Sequence, residues 1–201
     1  MGLVAIPFAV SLDKVKAVFG SKDAALLEKI KAAHLYDHYA GEDKGDGLFD
    51  QALEDIVFHY VWPDSGLKKN IGHRYGYALL VVCDALGTHL LPQCDGFYTG
   101  WDLEEAVTIL NEKGMGWNAN DMFESDNAFG LPYVNDFPAI KVFSKEEIRR
   151  INDVLDSVEI DENKTDFEKD DFDEVQLMLE NLRSSFRTCK EKDVEMITFL
   201  H

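Results

Sequence analysis

Residues 77–86 read YALLVVCDAL, ten residues with one charge among them. At helical spacing Leu79, Val82, Cys83 and Leu86 form one stripe, and Ala78, Val81 and Ala85 form the next. The pattern predicts a helix from about Tyr75 to Leu86, ended by Gly87. A helix that is apolar nearly all round has no face to offer water, so other elements must cover it. It is also too short to cross a bilayer, which takes about 20 apolar residues. Its place is therefore the interior of a globular fold, with Cys83 serving as a small hydrophobe. Asp84 is the exception on this helix. A carboxylate in such a setting needs a partner, and a Lys, an Arg or solvent is expected.

Amphipathic segments suited to cover it lie on both sides. Residues 2–10 read as a strand, where Pro7 suggests an edge or a bulge. Ser11 is placed to cap a short helix with Leu12, Val15 and Phe19, closed by Gly20. Ser21 is expected to cap a longer one with Leu26, Leu27, Ile30 and Ala33. After the polar loop GEDKGDG (41–47), Leu48, Ala52, Leu53, Ile56, Val57 and Tyr60 recur at helical spacing until WPDSG breaks the pattern. Thr99 is expected to start a helix that buries Leu103, Ala106, Val107 and Leu110 and stops at Gly114. Residues 114–143 read as irregular, with a short strand near AIKVF. SKEE at 144–147 is a capping box, leading a helix with Ile148, Ile151, Leu155 and Val158. A last helix uses Val175, Met178, Leu179, Leu182 and Phe186, and VEMITFL closes the chain as a strand. Together these predict an α+β fold: one predominantly helical domain over residues 1–201, with a small sheet that brings the N- and C-terminal strands side by side.

Charge narrows the function. Thirty-eight acidic against twenty basic residues leave a net charge of −18. Phosphate backbones and anionic membrane surfaces are contacted through clustered Lys and Arg, so neither nucleic acid nor membrane is an expected partner. A basic protein is, because complementary fields speed encounter and reject wrong partners. Three cysteines, Cys83, Cys94 and Cys189, cannot all pair and have no metal-like spacing, which suits a reducing compartment. MGLVAIPFAV has no basic region ahead of its apolar stretch, and Ile6 stands where a myristoylation motif has Ser or Thr. A cytoplasmic location is the expectation. Oligomeric state is not legible.

The acid is concentrated. Residues 151–175 hold eleven Asp or Glu and two Lys, a net −9. A calcium loop beginning at Asp161 would need Gly at 166 and Glu at 172, where Asp166 and Phe172 stand; a start at Asp166 fails likewise. What remains is an acidic patch with aromatics set into it: Phe167, Asp170, Asp171, Phe172, Asp173 and Glu174. These are the candidate partner-binding residues. The alternative for the same run is a solvated loop leading into a helix, whose N-terminus favours acids.

A second candidate is a small-ligand or enzyme pocket built from Arg74, Tyr75, Asp84, His89 and Trp101. Arg74, Tyr75, Tyr98 and Trp101 are of the types that dominate contact hot spots. His73, His89 and Cys94 offer a Cys–His combination, yet nothing marks Cys94 as activated. His34 and His38 lie one helical turn apart, but no HExxH motif accompanies them. No phosphate-binding glycine loop, GxSxG or dinucleotide fingerprint appears. No catalytic residue, metal or cofactor is assigned.

The chain resembles an uncharacterised bacterial family, a domain of unknown function. The likeness rests on the opening strand, LDKVKAVFGSKDAALLEKI, YGYALLVVCDALG, FPAIKVFSKEEI and the closing strand. The strand-first, strand-last plan also resembles that of the YfbM-like family. Both likenesses imply the fold and carry no catalytic residues. The leading expectation is a protein-binding module with an acidic face, of which an immunity-type inhibitor of a basic toxin enzyme is one form. The alternative is the pocket near residues 74–101.

Overall fold

The computed structural model describes residues 3–42, 46–60, 71–92, 96–118, 121, 128–131 and 138–201. The fold is α+β, built on one antiparallel sheet. Strand β1 (Val4–Val10) lies against β5 (Glu195–Leu200), from Ala5 opposite Leu200 to Val10 opposite Glu195. Strand β4 (Ala139–Phe143) flanks β5 on its other side. Two short strands, β2 (Thr88–His89) and β3 (Phe97–Tyr98), pair with the free side of β1. The first and last strands are neighbours, as the sequence predicts.

The sheet is covered on both faces, which is why its strands are apolar without strict alternation. Ile6, Phe8, Val10, Ile140, Val142, Ile197 and Phe199 join one core. Ala5, Ala9, Phe143, Met196 and Leu200 join the other. The first core is roofed by helices α1 (Leu12–Lys16), α2 (Ala24–Lys31), α3 (Tyr36–Glu42), α4 (Leu48–Glu54) and α5 (Gly72–Leu86). The second is roofed by α6 (Trp101–Glu112), α7 (Lys145–Leu155) and α8 (Glu174–Lys192). The all-apolar helix is α5; Ala78 through Cys83 are fully buried, and α1, α2, α4 and β1 surround it.

Several local readings are corrected. Pro7 is neither at an edge nor in a bulge, since β1 is an interior strand. Val4 and His201 exchange both backbone bonds. By alternation the ring of Pro7 turns its missing N–H away from β5, toward the gap between β2 and β3. Its carbonyl there accepts the Leu90 N–H at 3.0 Å. Ser21 does not cap α2. Lys22 is left-handed (φ 58°), which breaks any helical path from Ser21. Asp23 caps instead, accepting the N–H groups of Ala25 and Leu26 at 2.9 and 3.0 Å. Thr99 does not start α6 either: Gly100 is the N-cap, and Thr99 donates its N–H and hydroxyl to Leu3 O. His34 and His38 share no helix. His34 is exposed in the turn between α2 and α3.

Other expectations hold. Ser144 opens the capping box with Glu147, each side chain bonding the other's backbone N–H. One feature goes beyond the helical pattern: after α4 the chain widens into a π-helical turn, Asp55–His59. The turn sets Tyr60 so that its hydroxyl donates to Phe129 O at 2.6 Å. The Tyr60 carbonyl is so close to Gly20, itself at φ +67°, that a β-carbon there would sit 2.3 Å from it. Only glycine fits. The loop residues 43–45, WPDSG (62–66) and Cys94 lie outside the described residues.

Candidate functional site

The acidic run forms the connection between α7 and α8, and its backbone is held by its own side chains. Asp161 accepts the Asn163 N–H and gives its own N–H to Gln176 Oε1. Asp166 accepts the Glu168 N–H, and Asp173 donates its N–H to Lys164 O at 2.9 Å. Asp173 then caps α8, its carboxylate accepting from Val175 and Gln176 at 2.9 and 3.3 Å. Arg183 anchors the start of the connection by donating to the carbonyls of Leu155 and Val158. These short polar bonds suit residue types that hydrogen-bond locally at turns and caps.

The six residues predicted here therefore divide. Phe167 is 76% exposed, the most exposed large hydrophobic side chain described. Asp170, Asp171 and Glu174 are exposed beside it in the sequence. Phe172 and Asp173 are half-buried, and Asp173 is engaged as a helix cap. A solvent-facing Phe gains nothing from burial in the free protein, and each such ring withheld from water elsewhere would be worth about 1.5–3 kcal/mol.

The same segment holds many carboxylates without ion pairs. On α7 and α8 and at their ends some acids are matched, Asp153 with Lys190 at 3.5 Å, Asp156 with Arg187 at 2.9 Å, and Asp193 with Lys145 and Arg149 at 3.0 and 3.2 Å, while Glu146 and Glu191 are in no ion pair among the described residues. No carboxylate of residues 159–174 is in an ion pair among the described residues. The Lys145 ammonium, joined by Arg149, holds the Asp193 carboxyl below its usual range. The acidic run keeps its field for whatever approaches it.

The residues of the alternative pocket are spread over several neighbourhoods. Arg74 reaches Asp46 at 3.1 Å and the ring nitrogen of His73 at 3.0 Å. Tyr75 is fully buried and donates to Asp55 at 2.8 Å. Asp84 is half-buried and accepts the Leu35 N–H at 2.9 Å, a backbone partner in place of the Lys or Arg expected. Arg74 and Asp84 are separated by about 15 Å along α5. His89 stacks on Phe8 with ring centroids 5.1 Å apart. Trp101, 64% exposed, begins α6 close to Val4, about 13 Å down β1 from Phe8.

The buried Tyr75–Asp55 pair and the π-helical turn are what the sequence reading missed. Asp55 sits in the helical register of its neighbours, and nothing in the spacing marks it. Among the described residues, no group of three or more His, Cys, Asp or Glu is placed to hold a metal ion, and no helix is long and apolar enough to cross a membrane.

No curated protein and no solved structure matches the chain. A family model does, over residues 1–201. The chain belongs to the family described as "Domain of unknown function (DUF7691)".

Proposed function

We propose that this protein is a binding module that engages a basic protein through the connection between α7 and α8. The observation that carries this reading is Phe167, three-quarters exposed in a run whose carboxylates are in no ion pair among the described residues. An exposed aromatic gives an anchor for the centre of a contact. Unpaired like charge around it gives steering and selects against acidic partners. An immunity-type inhibitor that covers a basic toxin enzyme is one form of such a module. We place it in the cytoplasm; Cys83 and Cys189, both free and buried, fit a reducing compartment.

The test is recovery of partners from host lysate at low and high salt. It compares wild type with a variant carrying Glu168→Gln, Asp170→Asn, Asp171→Asn and Glu174→Gln. Asp173 is left in place because it caps α8. The expected result is a protein of basic isoelectric point recovered by wild type and depleted with the variant at low salt, the difference shrinking as salt screens it. Equal recovery by both at low salt would overturn the reading.

A further inference from the structure

Four large hydrophobic side chains are exposed among the described residues: Leu3, Tyr98, Trp101 and Phe167. Leu3, Trp101 and Phe167, from three distant parts of the chain, share one end of the molecule, while Tyr98 lies on the sheet face of its partner Val4, toward the first core. Strands β1 and β4 run the same way and β5 runs against them. Call the end with Val4, Ala139 and Leu200 the lower end. Helix α7 leaves β4 at the upper end and descends, so the acidic connection lies at the lower end. Helix α8 climbs from there to enter β5 at the top. Helix α6 also starts low, because Tyr98 pairs with Val4 and Thr99 bonds Leu3 O. It ends high, where Trp117 meets Phe143 and Phe186 at 6.1 Å. Helices α6 and α8 pack together, so their lower ends lie side by side.

Acids outnumber bases there, with Lys164 and Lys169 the exceptions in the connection. Glu104 and Glu105 stand three and four residues after Trp101, one turn along the same helix face. Both are exposed, and neither is in an ion pair among the described residues. An indole flanked by carboxylates suits a Lys or Arg side chain, which can stack on the ring and pair with the acid.

We infer that the docking face is composite: it runs from Phe167 and its carboxylates to Trp101 and Leu3, and its occupant is a cationic segment with apolar residues between its Lys or Arg side chains. The inference rests on the acidic-face reading and extends it to a second anchor on a different part of the chain. A purely cationic segment would leave these three hydrophobic side chains wet. A purely apolar one would meet uncompensated negative charge, and a second copy of this acidic chain would be repelled by it.

The test uses two fluorescent peptides of equal length and charge, one of Lys–Leu–Gly repeats and one of Lys–Ser–Gly repeats. Binding is measured by anisotropy at low and high salt. Four proteins are compared with wild type. They are Trp101→Gln, Trp101→Phe, the variant neutralised at Glu168, Asp170, Asp171 and Glu174, and a control neutralised at Asp13, Glu28, Glu146 and Glu191, all exposed on other surfaces. The expected result is tighter binding of the leucine peptide. Trp101→Gln should weaken it about five- to tenfold, with Trp101→Phe keeping most of the affinity and the loss persisting in high salt. The loop variant should weaken both peptides at low salt, and the control should stay within about twofold of wild type. Loss with the loop variant but none with Trp101→Gln would overturn the composite face and leave the acidic-face reading standing. Equal loss with loop variant and control would mean that net charge alone binds, and would overturn both.

Discussion

Asp84 and Leu35 are 49 residues apart, and the Asp84 carboxylate accepts the Leu35 backbone N–H at 2.9 Å. The bond joins the middle layer of the first core to the turn that begins α3. It gives the one acidic side chain of α5 a partner at the end of a stretch, Ala78 to Cys83, that is sealed from water. Asp84→Ala would leave a half-buried N–H without its acceptor, at a cost of about 1–2 kcal/mol. Asp84→Asn keeps an acceptor oxygen and should retain most of the stability. Urea unfolding of both variants checks this. Equal losses would show that charge, and not the acceptor, is what matters there.

Gly76 sets two effects of opposite sign against each other. In an open helix Gly→Ala gains about 1 kcal/mol. Here a β-carbon would lie 2.7 Å from two ring carbons of Pro138. A proline ring cannot swing aside, so the residue before β4 would have to shift, and overpacking of this kind costs about 1–3 kcal/mol. Gly76→Ala is expected to lower the melting temperature despite its better helix propensity. Restoring space on the other side, with Pro138→Ala in the same chain, should return part of the loss. A rise in melting temperature for Gly76→Ala alone would mean that the contact is slack.

What the sequence makes legible, and what it hides, follow from the range of the interactions. Periodicity and caps are local, so α5, the capping box at Ser144 and the buried faces of α6, α7 and α8 can be read directly. The pairing of β1 with β5 is non-local, but two apolar strands at the ends of a helical chain have few other places to go. Thr88–His89 and Phe97–Tyr98 are too short to have a period and exist as strands only because β1 is beside them. Ser21 looks like a cap until the left-handed Lys22 intervenes. For the candidate site, composition reveals the acid at 159–174, while the pairing of Asp153, Asp156 and Asp193 on neighbouring helices needs three dimensions. That Trp101 ends up at the same end of the sheet as Phe167 depends on the direction of four elements, which no motif encodes.

Burial also sets a pH dependence. Desolvation is the main cause that raises the Cys189 thiol to about 12, with Lys192 opposing it and Glu195 adding to it. Desolvation likewise raises Cys83, reinforced by Asp84, and raises the Tyr36 hydroxyl to about 12 with help from Asp50. In the unfolded chain these groups lose their protons nearer 9 for the thiols and 10 for the tyrosine. Above pH 9 the folded state therefore holds more protons than the unfolded one, and stability falls as pH rises. For Cys189 the contribution is complete below pH 9 and lost by about 12, at about 1.4 kcal/mol per pH unit within that window, and that of Cys83 is lost at higher pH still. Urea unfolding at pH 8, 9 and 10 should show the decline, and Cys189→Ala should flatten it. At neutral pH, peptide mapping after brief exposure to a thiol reagent should find Cys83 and Cys189 unlabelled until denaturant is added. Fast labelling of Cys83 would contradict the sealed core helix.

Within the acidic run, two neighbouring aspartates should behave oppositely. Asp173 accepts the Val175 and Gln176 N–H groups and fixes the start of α8, a helix whose Leu179, Leu182 and Phe186 are fully buried. Removing such a cap costs about 1 kcal/mol, while Asn caps as well as Asp. Asp173→Ala should therefore destabilise by about that amount and Asp173→Asn hardly at all. Asp171 is exposed and in no ion pair among the described residues. Most charges along the run are like its own, Lys164 and Lys169 being the exceptions, so Asp171→Ala should leave stability unchanged or raise it slightly, within about 0.5 kcal/mol. Salt separates the two further: screening over about 10 Å removes repulsion between exposed carboxylates but does not replace a hydrogen-bond acceptor at a helix end. In thermal melts at low and high salt, the deficit of Asp173→Ala should persist and any gain of Asp171→Ala should vanish. A stability loss for Asp171→Ala matching that for Asp173→Ala would show that the carboxylates assigned to the docking face hold the connection together, and would remove the ground for treating them as a surface kept open for a partner.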